Sequence, residues 1–133
     1  EGHTFEGNPI SSAAGLATLS EILERDLCAN VRTQGERLRA GFESLKSHGI
    51  IGDIRGRGLM QCIELVADPQ TKQQFDPAIG IDIGRRALQN GLICRFDPHW
   101  IALGPALTVT AEEIDQMLAI LEQSIVEVLS ELS

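Results

Sequence analysis

From Thr110 onward, Ile114, Met117, Leu118, Leu121, Ile125, Val128 and Leu132 recur at three-, four- and seven-residue steps, which places them on one stripe of a helix running to the chain end. A helix that is apolar along a single stripe has to bury it against another layer of structure. The seven-residue spacing would also suit a coiled coil, but the run is short, and a helix laid on a sheet is the expectation. Thr110-Ala111-Glu112-Glu113 gives the start of this helix the spacing of a capping box, in which the threonine hydroxyl and the glutamate carboxylate satisfy each other's backbone amides.

The sheet must come from the segments upstream. Ala13, Leu16, Ala17, Leu19, Ile22, Leu23 and Leu27 keep a helical period, with Ser11 and Ser12 able to cap its start. A second helix carries a thinner stripe of Val31, Leu38, Phe42 and Leu45 opposite a charged face of Arg32, Glu36, Arg37, Arg39 and Glu43, and Gly49 ends it. Asp53 to Val66 reads as one extended strand, broken by Asp68-Pro69 and followed by a polar loop to Asp76-Pro77. Ile79, Ile83, Ala87 and Leu88 predict a short helix ending at Asn90-Gly91. Leu92 to Phe96 and Trp100 to Leu103 then predict two strands joined by a turn containing Asp97-Pro98. The order α-α-β-α-β-β-α predicts an α+β fold, with helices on one face of a mostly antiparallel, short-stranded sheet.

With 133 residues, of which 43% are hydrophobic and 23% charged, the chain has room for one core. Its net charge of −8 disfavours nucleic acid and anionic membrane surfaces as partners, and no apolar run approaches the roughly 20 residues of a spanning helix. Cys28, Cys62 and Cys94 stand far apart, which predicts reduced, mostly buried thiols in a cytoplasmic protein. A start at Glu1, without a targeting pattern, suggests a piece of a longer polypeptide.

Several chemical readings fail on spacing. Gly56-Arg57-Gly58 has too few glycines for a dinucleotide fingerprint and precedes a strand, and its single RGRG copy lies in an acidic chain unlike an RNA-binding tail. His3, His48 and His99 are isolated, so no metal site is expected, and no nucleophile elbow is present. The loop Gly2 to Pro9 is different. It is turn-rich, feeds a helix, and offers backbone amides with a hydroxyl in a small volume, a chemistry that suits an anion but also describes an ordinary loop before a helix.

Thr4-Phe5-Glu6-Gly7-Asn8-Pro9 followed by Ala13-Ala14-Gly15-Leu16-Ala17 resembles the segment after the catalytic lysine in class III aminotransferases. These are the ω-transaminase group of fold-type-I pyridoxal-phosphate (PLP) enzymes. Four further segments match in order. Arg55-Gly56-Arg57-Gly58-Leu59-Met60 resembles the family's R-G-x-G-L-M strand, and Gly91-Leu92-Ile93-Cys94-Arg95 its G-L-I-x-R segment. Leu103 to Leu107 resembles its A-P-P-L turn, and Thr110 to Asp115 its T-x-E-E-I-D helix start.

The resemblance implies a division of the chain and a set of roles. Residues 1–9 would be a cofactor-phosphate loop from the large domain, 10–48 connecting helices, and 49–133 the C-terminal small domain. Thr4 would hydrogen-bond the phosphate of pyridoxal 5'-phosphate in a neighbouring subunit, with His3 beside it as a second cofactor contact. Arg95 would be a mobile clamp for a substrate carboxylate, a task suited to the paired donors of a guanidinium; the competing assignment is a surface arginine bridging Asp97 or another acid. Arg55 would be structural. The implied protein is a homodimer or dimer of dimers, with the site shared across the interface and amine and 2-oxo acid substrates. The lysine that holds the cofactor is not in this chain, since Lys46 and Lys72 lack a suitable setting, so the piece alone is expected to be inactive. The alternative is a non-catalytic association or regulatory domain of the same fold. Where ornithine-type relatives carry a second anchoring arginine this chain has Ala102, and Phe96 to Trp100 replaces a shorter link.

Overall fold

The computed structural model describes residue 2, residue 4 and residues 6–132. Helices α1 (Pro9–Glu24) and α2 (Leu27–Leu45) come first, then a 3-10 turn (Lys46–His48), strands β1 (Ile51–Arg57) and β2 (Met60–Leu65), helix α3 (Pro77–Gln89), strands β3 (Arg95–Asp97) and β4 (Trp100–Leu103), and helix α4 (Ala111–Glu131). The strands form one antiparallel sheet in the order β1-β2-β4-β3. The predicted α+β class holds.

Register explains which face is buried. Ile54 pairs with Ile63, Ile63 with Ile101 and Ile101 with Phe96, forming a row of apolar residues across all four strands. Ile63 and Ile101 are completely buried, and the core continues through Leu38 and Phe42 of α2, Ile83 and Ala87 of α3, and Ile114, Leu121 and Ile125 of α4. Each fully buried aliphatic side chain contributes roughly 1.5–3 kcal/mol relative to exposure, so Ile63 and Ile101 help hold the sheet to its helices. Because side chains alternate along a strand, the row fixes its neighbours on the opposite face.

The capping box at α4 is present, with Glu113 N donating to Thr110 Oγ1 at 3.2 Å and Thr110 N donating to a Glu113 carboxylate oxygen at 2.8 Å. The stripe behind it is buried at Ile114, Leu121, Ile125 and Val128, while Leu132 stays exposed. Arg37 ties α2 to α4 through a two-point contact with Asp115, its Nε donating at 2.6 Å, and this hydrogen bond holds the Asp115 carboxyl below the usual aspartate range.

Four expectations need correction. The single strand predicted over Asp53 to Val66 is a hairpin of β1 and β2. Gly56 and Gly58 take positive φ of 123° and 56°, which lets the chain reverse while Leu59 drops into the core. Neither an Asn-Gly nor an Asp-Gly pair announces this turn, so a continuous strand is the simpler pattern. The cap of α1 is Asn8, whose Oδ1 accepts from Ile10 N at 3.0 Å and Ser11 N at 3.1 Å, rather than Ser11 or Ser12; Pro9 occupies the first helical turn, where its missing amide costs nothing. Residues 92–94 lie outside the strand that follows them, which begins at Arg95. Finally, Cys28 is exposed and Cys62 and Cys94 are half-buried, so the thiols are not mostly buried.

The helix α1 buries none of its residues, and Ile10, Leu16, Leu19 and Leu23 are exposed. Its apolar stripe therefore finds no layer among the described residues. By contrast α3 sits close to the β3–β4 turn, where Gly80 has no room for a Cβ against the Pro98 carbonyl. That contact fixes the turn on which Arg95 and Trp100 are carried. A Gly80→Ala substitution is expected to lower stability by about 1–3 kcal/mol through overpacking, read as a lower urea midpoint in the full-length protein; an unchanged midpoint would show that the turn yields freely.

Candidate functional site

Opposite the apolar row, Arg55 on β1, Cys62 on β2, Ala102 on β4 and Arg95 on β3 are successive register partners across the sheet. The next row on that face is Asp53, Glu64, Trp100 and Asp97. None of these eight residues belongs to the buried core, so this face of the sheet stays open among the described residues.

A hollow of about 740 Å³ lies on this face, lined by Cys62, Ile93, Cys94, Arg95, Trp100 and Ala102 among others. Ala102 leaves space there because it projects only a methyl group between Cys62 and Arg95. The polar groups around the hollow are unequally engaged. Arg55 is held by two acids, with Nε 3.5 Å from Asp53 and Nη2 3.4 Å from Glu64. Lys72 also reaches Glu64, at 3.5 Å, and donates to the Gly52 carbonyl. Arg55 is thus part of a charge cluster tying β1 to β2, in keeping with the structural role expected of it.

Arg95 is placed differently. Among the described residues no ion pair joins it to Asp97 or to any other acid, and its guanidinium carbon lies 5.6 Å from the centre of the Trp100 ring. An exposed guanidinium at the edge of an apolar hollow, with no carboxylate partner of its own, can accept one from a ligand through paired hydrogen bonds. Sequence reasoning singled out Arg95 but missed its contact with Trp100. The signal was present in the alternation of Trp100 and Ala102, yet it becomes a contact only when the β3–β4 register is known.

Burial raises the pKa of the Cys94 thiol. Cys62 is raised as well, chiefly by desolvation, with Arg55 opposing and Glu64 and Asp53 adding to the rise. These are thiols that line a surface, without the lowered pKa of a nucleophile.

Thr4 lies in an exposed turn before α1. It does not line the hollow with Arg95, so the structure does not bring the two expected site residues together within one chain. The amides of Ile10 and Ser11 at the start of α1 are already taken by Asn8. An anion at this loop would therefore meet the Thr4 hydroxyl and the amides before the helix, rather than those two donors. Gly7, with φ of 74°, supplies the reversal that leads into the cap. The predicted cofactor contact His3 lies outside the described residues.

The sequence profile of Aminotransferase class-III matches residues 1–125. The chain belongs to the class III aminotransferase family. Among curated relatives, it is 38% identical to an uncharacterized aminotransferase, y4uB, of Sinorhizobium fredii over 98% of this chain and 29% of that protein. It is 36% identical to a diaminobutyrate–2-oxoglutarate transaminase of Halomonas elongata, over 93% of this chain and 28% of the relative. The chain thus spans less than a third of the length of these relatives. Among solved structures, it is similar to a transaminase with L-alanine, with a TM-score of 0.93 and 32% identity over all of this chain and 32% of the other. The PMP-bound aminotransferase of Vibrio fluvialis superposes with a TM-score of 0.92 and 28% identity, over 100% of this chain and 30% of that one. These superpositions show that the whole described fold, from α1 to α4, is that of the corresponding part of solved aminotransferases.

The raised thiols yield a direct check. Alkylation of Cys62 and Cys94 by iodoacetamide, followed by peptide mass mapping, is expected to be slower at pH 7 than for free cysteine. Its rate should still climb above about pH 8.5, where an ordinary thiol is half ionised. Rates that level off below that pH would contradict the assigned environment.

Proposed function

We propose that the chain is the C-terminal part of a PLP-dependent aminotransferase that moves an amino group from an amine or ω-amino acid donor to a 2-oxo acid. In this reading residues 1–9 are the phosphate loop of the large domain, 10–48 the connecting helices, and 49–133 the small domain. The observation that carries it is the Arg95 guanidinium, unclaimed by any acid among the described residues, at the edge of a hollow on the open sheet face. Support comes also from the named activity of the Halomonas elongata relative, which pairs a diamino acid with 2-oxoglutarate.

The residues present fit one end of the cofactor. Thr4 offers a hydroxyl donor in an exposed turn, and a phosphate needs donors of that kind with no competing cap. The lysine requirement is not met here. Lys46 is paired with Glu43 at 2.6 Å, and Lys72 sits on Glu64 and the Gly52 carbonyl, outside the hollow. PLP, when bound, supplies an electron sink for the substrate carbon that bears the nitrogen. Arg95 then orients the substrate by its carboxylate, and Ile93, Cys94 and Trp100 provide walls that limit water on that side. Thr4 and Arg95 line no common hollow, which suits a site shared between two subunits of a homodimer or dimer of dimers. Unpaired cysteines suit a cytoplasmic setting.

Two experiments on the full-length enzyme test this function. Arg95→Ala is expected to raise KM for carboxylate-bearing partners by about 10- to 100-fold, the loss of a charge-assisted pair, while uncharged amines retain turnover; equal effects on both classes would remove Arg95 from the site. Thr4→Ala is expected to weaken cofactor affinity by about 10-fold or more in a spectrophotometric titration. Unaltered affinity would place the loop away from the phosphate. The isolated chain mixed with stoichiometric PLP should give no absorbance band beyond that of the free cofactor.

A further inference from the structure

We propose that Trp100 is a docking platform for the Arg95 guanidinium and so acts as a positioning residue, setting the balance between carboxylate-bearing and uncharged substrates. The inference rests on the reading of Arg95 as a substrate contact and names the device that controls it.

The guanidinium would have two stations, of which the structure holds one. In the structure it leans toward the β3–β4 turn and lies 5.6 Å from the Trp100 ring centre. Its direct register partner is Ala102, on whose other side lies Cys62, so the space beside Arg95 on the open face is the hollow itself. A larger residue at 102 would fill that second station; a methyl group leaves it accessible. Among the described residues no ion pair with Asp97 competes for Arg95, although that acid is only two residues away on the same face of β3.

Platform and arm differ in rigidity. Trp100 belongs to β4, an interior strand bonded to both β2 and β3, while Arg95 opens the edge strand β3. The main chain at Trp100 is therefore held from both sides and that at Arg95 from one. Arginine stacks on aromatic faces through its planar, weakly hydrated guanidinium. At a partly exposed site such a contact shifts an equilibrium by about two- to five-fold. That is enough to keep the hollow clear for an apolar substrate, and less than a paired contact with a carboxylate, which draws the arm off its platform. An acid in the same place would hold Arg95 more firmly and resist release.

Population shift gives the sign of each effect. Removing the platform raises the share of molecules whose guanidinium already occupies the hollow. A carboxylate then meets a prepared partner, and an uncharged substrate meets an obstruction. In the full-length holoenzyme, Trp100→Leu should lower KM for a carboxylate-bearing donor by about two- to five-fold and raise it for an uncharged amine by a similar factor. The donors are one of each class turned over by the wild type. Trp100→Phe, which keeps a weaker aromatic face, should fall between the two and carries the test if the leucine variant does not fold. Both KM values moving in the same direction, or neither moving, would overturn the proposal.

A second readout needs no turnover. Phenylglyoxal modification of Arg95, mapped by mass and normalised to the exposed Arg85, should accelerate about two- to five-fold in Trp100→Leu as the stacking face is removed. An unchanged rate would show that the ring does not hold the guanidinium. The two levels separate cleanly: if Arg95→Ala has no carboxylate-specific effect, the substrate role of Arg95 fails, whereas the modification rates still report on the Trp100 contact.

Discussion

Burial of one face of the four-stranded sheet is the constraint from which the rest of the molecule follows. Ile54, Ile63, Ile101 and Phe96 lie in register, and helices α2, α3 and α4 close over them. Shifting any strand by one residue would turn its apolar set to the open side, so the register is strongly held. The same alternation then dictates that Arg55, Cys62, Ala102 and Arg95 share the other face. The chemistry-bearing row is thus a geometric consequence of packing, fixed to the precision of the core beneath it.

Such an arrangement explains how Arg95, the proposed substrate contact, can sit on an edge strand without its main chain being loose. The main chain at Arg95 is anchored through its pairing with β4, and the turn beyond it is held by the close approach of α3 at Gly80. Freedom is confined to the side chain, which has one aromatic neighbour and no acidic one among the described residues. Arg55, in the same row, shows the contrast. Two acids hold it in a network, so its charge is already committed to joining β1 to β2.

At the other end of the chain, α1 exposes its apolar residues and Thr4 stands in an exposed turn ahead of it. A helix with an apolar stripe and no buried residue is incomplete as a layered structure. The chain spans less than a third of its relatives' length, and the proposed role of this end depends on surfaces that a longer protein and a second subunit would supply.

Local signals in the sequence determined the helices and their ends where the pattern was strong. The capping box and stripe of α4, the stripe of α2, and the α+β order were legible because each depends on residues a few positions apart. The ordered family motifs likewise pointed to Thr4 and Arg95 before any geometry was known. Tertiary structure decided the hairpin at Gly56 to Gly58, where two positive φ values turn an apparently continuous strand. It alone brought Arg55, Cys62, Ala102 and Arg95 into one row and laid Trp100 beside the guanidinium. The physical reason is that periodicity fixes which side of its own strand a residue occupies, whereas the neighbour across the sheet is set by register, a property of two strands and of the core that both must cover.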